Sequence, residues 1–349
     1  MGLIQPQGGI ARRLERDSLA AALRAYHFFM QHPAEYAHPL SPQTRTILEQ
    51  MQRVPHAPMH ALEPQAARAF YEKAAGILDI PKATMARDER LLIPTRDGQS
   101  IRARLWAPSH EVLPVLVYFH GGGFTIGSTA THEPLCRRIA ELAGCAVISV
   151  DYRLAPEHRF PTAVFDAWDA LAWVREQRSQ LGLCPQRWAV GGDSAGGTLA
   201  AVSALYARDL GWPLDLQVLF YPGTTAHQDT ASHQRFEHGL VLGEAVISYF
   251  FEQYIPQRED RTDWRFAPLL ASDHANLAPA WLGLAEIDPL VDEGVAYADA
   301  MRMAGVAVDI EIYQGVVHGF IQWGRVIPEA HQAHQDAARA LRNAWHLSP

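Results

Sequence analysis

"VGGDSAGGTLA", residues 190–200, sets Ser194 between two small positions, Gly192 and Gly196. The residues before it, "RWAV", are β-rich, and those after it, "GGTLAAVSALYARDL", are helix formers. A bare G-x-S-x-G is a weak match. At a strand–turn–helix junction it holds a serine hydroxyl out on a sharp corner where larger neighbours would collide. The helix that starts after Ser194 aims its first amides at the corner and favours negative charge there.

Working outward, strands and helices alternate on both sides of this corner. "PVLVYFH" is an unbroken apolar run, as expected of a strand buried on both faces. A helix at about 131–143, the strand "CAVISVDY" and a helix at about 162–180 lead into it. A helix at 195–208, "LQVLFYP", "PAWLGLAE", a helix at 292–304, "VDIEIY" and a helix at 328–345 lead away. This alternation predicts a mostly parallel sheet with helices on both faces. "RLLIPT" and "SIRARLWAP", joined through "RDG", read as a hairpin ahead of it. Roughly the first 85 residues read as all-helical, with segments at about 11–31, 43–53 and 64–76. The stretch at about 223–265 interrupts the alternation where an insertion would lie over the strand ends, the side on which such sheets bind ligands.

Bulk properties narrow the class. The chain has 349 residues, 48% hydrophobic and 19% charged, as in an ordinary globular protein. A net charge of −8 argues against nucleic acid and anionic membrane surfaces. No run of 18 apolar residues is present, and the N-terminal stretch lacks the apolar core of a secretion signal. Cys136, Cys145 and Cys184 form no C-x-x-C pair and read as free thiols, so a cytoplasmic location is expected.

Serine is a poor nucleophile without a base and an acid to orient that base. His318, in "YQGVVHGF" just past the strand "VDIEIY", is placed on a loop at the strand ends with Gly319 leaving room beside it. His331, His334 and His346 fall on or near the last helix and read as solvated, as does the "HQAH" spacing, which lacks a third metal ligand. "LAEIDPLVDEG" offers Glu286, Asp288, Asp292 and Glu293 as the acid. Asp288 comes soonest after the strand, whereas Asp292 and Glu293 suit the start of the next helix. The order Ser194, Asp288, His318 fits this type of corner.

"YFHGGGFTIGS", 118–128, matches neither a dinucleotide fingerprint nor a P-loop: Ile126 and Ser128 stand where those need Gly and Lys. Its amides instead suit an oxyanion formed when Ser194 attacks a carbonyl. Gly122, Gly123 and Ala195 are the expected donors, and side chains at 122 or 123 would be expected to obstruct the substrate. His120 reads as a hydrogen-bonding brace for this loop.

"HGGGF", "DYRLAPEHRFP", "GDSAGG", "DPLVDEG" and "HGF", in this order, make the chain resemble the bacterial hormone-sensitive-lipase family of α/β-hydrolase carboxylesterases over about residues 41–349. The resemblance implies an eight-stranded α/β-hydrolase sheet, a helical cap and hydrolysis of carboxylic esters with no metal and no cofactor. It assigns the triad to Ser194, Asp288 and His318, and loop-bracing charge pairs to Asp151, Arg153 and Glu157. Arg159 departs from the proline usual at its position. The expected division is a helical region at 1–85 contributing to the cap and a catalytic domain at 86–349 with a cap insertion at about 223–265. The first 40 residues are an extension, suited to the cap or to a homodimer surface.

The expected partner is a small acyl ester of short to medium chain. Phe124, Phe236, Leu240 and Tyr249 are the candidate pocket residues. Action on an amide, lactone or carbamate would use the same groups. A non-catalytic ligand-binding protein on this scaffold is a further alternative. The resemblance extends to plant hormone receptors that have lost the histidine, but His318 is kept here.

Overall fold

The computed structural model describes residues 40–54, 57–238 and 240–347. The helix expected at 11–31 lies outside these residues. The eight strands are β1 (Arg87–Pro94), β2 (Ser100–Ala107), β3 (Leu113–Phe119), β4 (Ala146–Asp151), β5 (Leu183–Asp193), β6 (Gln217–Phe220), β7 (Ala280–Ile287) and β8 (Val308–Val317). They form one sheet in the order β1-β2-β4-β3-β5-β6-β7-β8. The β1–β2 hairpin and the β2–β4 pair are antiparallel; every later pair is parallel. Burial follows position. Every residue of β3 after Leu113 is buried, whereas β1 alternates at the edge of the sheet.

The helices are α1 (Pro42–Arg53), α2 (Pro64–Ala74), α3 (Glu133–Ala143), α4 (Thr162–Gln177), α5 (Ala195–Asp209), α6 (Ala231–Arg235), α7 (Glu244–Tyr254), α8 (Val291–Met303) and α9 (Pro328–Ala344). Right-handed crossovers decide which face each covers. The chain steps one way from β3 through α3 to β4, then reverses through α4 to β5 and continues that way through α5 to β6. So α3 lies on one face and α4 and α5 on the other. Contacts agree: α3 packs on α9, and α4 packs on α5. The helices after the adjacent strands β3 and β5 therefore diverge. The crevice they leave at the carboxyl ends is where a ligand can sit.

The cores on both faces join one cluster that includes Trp106, Trp188 and Trp345, all but fully buried. Among the described residues no helix is long and apolar enough to cross a membrane. Cys136, Cys145 and Cys184 are free thiols, the first two buried.

Candidate active site

Ser194 directly follows β5, with φ 53° and ψ −122°. A non-glycine residue held there costs about 1–3 kcal/mol, offset only if its surroundings fix it. Its N–H donates to the Phe220 carbonyl at 2.9 Å, and its own carbonyl accepts from Thr198 N–H at 3.0 Å. The tight corner explains both flanking glycines. A Cβ on Gly192 would overlap the Gly196 carbonyl, and one on Gly196 would overlap the Phe119 carbonyl oxygen. These are backbone atoms at the end of β3 and in α5, which cannot step aside. Gly196→Ala should therefore destabilise the fold by about 1–3 kcal/mol, although the same change elsewhere in a helix stabilises. Denaturant unfolding checks this; a more stable variant would remove the steric explanation.

His318 follows β8 and Asp288 follows β7, so neighbouring strand ends deliver both to the crevice. His318 Nε2 is 2.9 Å from Ser194 Oγ, and His318 Nδ1 is 2.7 Å from Asp288 Oδ2. A carboxylate only accepts, so Nδ1 carries the proton and Nε2 is left to accept from the serine O–H. The Asp288 side chain is fully buried and its Oδ1 accepts from Leu290 N–H at 2.9 Å. The other acids of this segment are engaged elsewhere. Glu286 accepts from Gly315 N–H at 2.8 Å, Asp292 from Ser232 N–H at 2.7 Å, and Glu293 from Thr224 N–H at 2.5 Å.

Gly122 and Gly123 follow β3 with φ of 120° and 57°. Their N–H groups and that of Ala195 donate to no other backbone group among the described residues, and all three residues line the same cavity as Ser194 and His318. The glycines are needed for a reason other than the one expected from sequence. A Cβ on Gly122 would overlap the Ile126 carbonyl, and one on Gly123 would overlap the Phe250 ring. The protein's own atoms, rather than the substrate, occupy that space.

Asp193 fixes the loop that carries these glycines. Its Oδ1 accepts from Tyr118 O–H at 2.8 Å and Gly121 N–H at 3.0 Å, and its Oδ2 faces His132 Nε2 at 3.2 Å. Burial acts to raise its pKa, but His132 and the hydroxyl of Tyr118 outweigh burial and hold it below the usual carboxylate range. His120 donates from Nδ1 to the Gly121 carbonyl at 2.8 Å and stacks on Tyr152. Burial lowers its pKa to about 4. Arg68 of α2 reaches the same loop from outside, donating to the Thr125 carbonyl at 2.8 Å and pairing with Glu157 at 2.5 Å. Arg153 pairs with the buried Asp166 at 2.6 Å, and Asp151 accepts from Thr129 N–H at 2.7 Å. No sequence signal marked Tyr118, His132 or Arg68, because their roles depend on partners 57–75 residues away.

The cavity above Ser194 is about 1150 Å³. Phe124 and Leu240 line it; Phe236 and Tyr249 do not. Phe236 packs with Leu48, Ile287 and Val317, and Tyr249 is buried with its hydroxyl unpartnered among the described residues. Phe250 and Phe251, the next residues along α7, line the cavity instead. One expectation about the last helix also changes. His334 is fully buried, and its Nε2 donates to the Ile321 carbonyl at 2.8 Å, so it braces the core rather than facing solvent. Among the described residues no group of three or more metal-ligating side chains is placed to hold an ion.

Glu293 is a buried acid in the cavity wall, and burial pushes its pKa up to about 8 against the hydrogen bonds from Thr224 and Thr225. Folding then takes up a proton wherever the unfolded carboxyl would already be ionised. The resulting stabilisation is full below the ordinary carboxyl range and is lost as pH rises through about 8. Glu293→Gln should flatten the fall in melting temperature between roughly pH 5 and 8. An unchanged slope would assign that fall to other groups.

Residues 116–322 match the family described as having the alpha/beta hydrolase fold, and the chain belongs to it. It is 43% identical over 296 residues to an ethyl acetate hydrolase of Pseudomonas putida, covering 82% of this chain and 92% of that protein. The carboxylesterase NlhH of Mycobacterium tuberculosis is 42% identical, with 69% of this chain and 77% of that protein covered. Among solved structures, an esterase of Pyrobaculum calidifontis superposes with a TM-score of 0.82 at 39% identity, over 87% of this chain and 98% of that one. A Lake Arreo metagenome ester hydrolase, complexed with a bipyridine phosphonate derivative, gives a TM-score of 0.84 at 37% identity, over 88% and 99%. Within the α/β-hydrolase family the chain is a carboxylic ester hydrolase of the hormone-sensitive-lipase group.

Proposed function

We infer that the chain is a serine carboxylesterase that cleaves short- to medium-chain acyl esters through an acyl-enzyme. The reading rests on one juxtaposition: a strained serine hydroxyl 2.9 Å from an imidazole nitrogen, beside three unengaged amides in a common cavity. Ser194 Oγ attacks the carbonyl carbon while His318 Nε2 takes its proton. Gly122, Gly123 and Ala195 N–H groups stabilise the oxyanion, each worth roughly 3 kcal/mol or 100-fold in rate. His318 returns the proton to the leaving alkoxide. Water then attacks the acyl-enzyme by the same relay, and the acid departs. Asp288 holds the ring and steadies the imidazolium.

The helices of 40–85 and those of the insertion act together as the cap, since Leu48, Phe70 and Phe251 all reach the cavity wall. The ethyl acetate hydrolase among the relatives supports short esters as substrates. A chromogenic acyl series from acetate upward, run beside matched amides, tests the reading. Ester turnover falling off at long chains is expected. Faster cleavage of the amides would move the activity to another acyl bond. A phosphonate that leaves Ser194 unmodified in folded protein would favour ligand binding without catalysis.

A further inference from the structure

Gly122 and Gly123 hold φ of 120° and 57°. Glycine has the most backbone freedom to lose on ordering, so such a pair keeps its N–H groups aimed only if the chain is fastened on both sides. Asp193 fastens one side by accepting from Gly121 N–H at 3.0 Å. Arg68 fastens the other, and it comes from α2, one of the cap helices. Its Nε donates to the Thr125 carbonyl at 2.8 Å and its Nη2 to the Ala155 carbonyl at 2.6 Å. Both residues are wired into the glycine loop. Thr125 donates to the Gly122 carbonyl from its N–H at 3.0 Å, and to the Gly123 carbonyl from its hydroxyl at 3.0 Å. Ala155 N–H donates to the Phe124 carbonyl at 2.8 Å. Glu157 accepts from Nη1 at 3.0 Å and from Nη2 at 2.5 Å, which fixes the plane of the guanidinium. A planar fork can hold two carbonyls and a carboxylate together, whereas a point-like ammonium cannot match that geometry.

Resting on the esterase reading above, we propose that Arg68 is a positioning residue for the oxyanion amides, tying α2 to the far side of the glycine loop. Arg68 does not line the cavity above Ser194; it lines a separate cleft of about 510 Å³ together with Gly127 and Ser128. It therefore acts on the reaction through Thr125 and the glycines. Their N–H groups bond most strongly to the oxygen once it carries charge, so their aim governs the transition state more than the bound ester. Releasing the Thr125 side of the loop lowers kcat and leaves substrate binding in the cavity little changed.

The test compares wild type with Arg68→Met, Arg68→Lys and Gln65→Ala. Gln65 is the control: it stands one turn earlier on α2 and donates to Glu157 at 2.8 Å, away from both carbonyls. Arg68→Met should lower kcat on a chromogenic acetate about 10–100-fold with KM within about 3-fold of wild type. A trifluoromethyl ketone, whose adduct with Ser194 carries an oxyanion, should lose affinity by the same factor. Arg68→Lys should fall between, and Gln65→Ala should stay within about 2-fold of wild type. A kcat for Arg68→Met within about 2-fold of wild type would overturn the proposal. So would a raised KM at unchanged kcat, a fall in kcat without the matching loss of ketone affinity, or an equal fall in Gln65→Ala; each would make Arg68 a plain tie for the helix. Failure of a phosphonate to label Ser194 in wild type would instead overturn the esterase mechanism beneath it. Should Arg68→Met not fold, Arg68→Lys carries the comparison, and unchanged kcat and ketone affinity there have the same meaning.

Discussion

Ser194→Ala should lower turnover of a chromogenic ester roughly 10⁶-fold, His318→Ala should do about the same, and the double variant should fall little further. In the proposed mechanism nucleophile and base act as a unit, because an alcohol at neutral pH attacks a carbonyl only as its proton leaves. The 2.9 Å contact between Ser194 Oγ and His318 Nε2 would be the path for that proton. Removing either end closes the path completely, so the losses do not add. What remains, about 10³–10⁴-fold over water, would come from the glycine amides and substrate binding. Steady-state kcat on folded protein of each variant decides the matter. Losses that multiply in the double variant would mean two independent contributions. A near-normal His318→Ala together with an inactive His331→Ala would reassign the base, though His331 stands on α9 beside Gly324, away from the end of β8.

The strands were legible because buried parallel strands are continuous apolar runs, and the tight corner at Ser194 because glycines flank a serine between a strand and a helix. Asp288 and His318 followed from position, as first polar groups past their strand ends. What could not be read depends on rotation and on partners. "ISYFFEQY" is apolar almost all round, so its periodicity does not reveal which face turns inward. A step of one residue turns a helix by about 100°, enough to exchange Tyr249 for Phe250 at the cavity wall. His334 looked solvated because a histidine on the last helix faces solvent by default, yet Ala330, Ala333, Ala337 and Ala338 around it are buried, and its ring donates to the Ile321 carbonyl. The reason for glycine at 123 was likewise invisible, since Phe250 lies 127 positions further along the chain.

Asp288→Asn should cost about 10⁴-fold in kcat with little change in KM, although it alters only one atom. The cause is geometric. Asp288 Oδ1 accepts the Leu290 N–H at 2.9 Å while Oδ2 accepts from His318 Nδ1 at 2.7 Å. An asparagine has one acceptor to divide between them. Leu290 N–H belongs to the backbone of a buried turn and cannot move away, so the amide oxygen stays with it. The amide NH₂ then faces His318. Two N–H groups cannot share that contact, so the imidazole shifts its proton from Nδ1 to Nε2. The nitrogen that should accept from Ser194 becomes a donor, and the serine keeps its proton. Because the side chain is fully buried, no water can take over the carboxylate's part. Glu286→Gln and Asp292→Asn serve as controls, since their carboxylates bond Gly315 and Ser232 rather than His318. Kinetics on all three variants discriminate: Asp288→Asn within about 10-fold of wild type, with either control inactive, would place the orienting acid elsewhere.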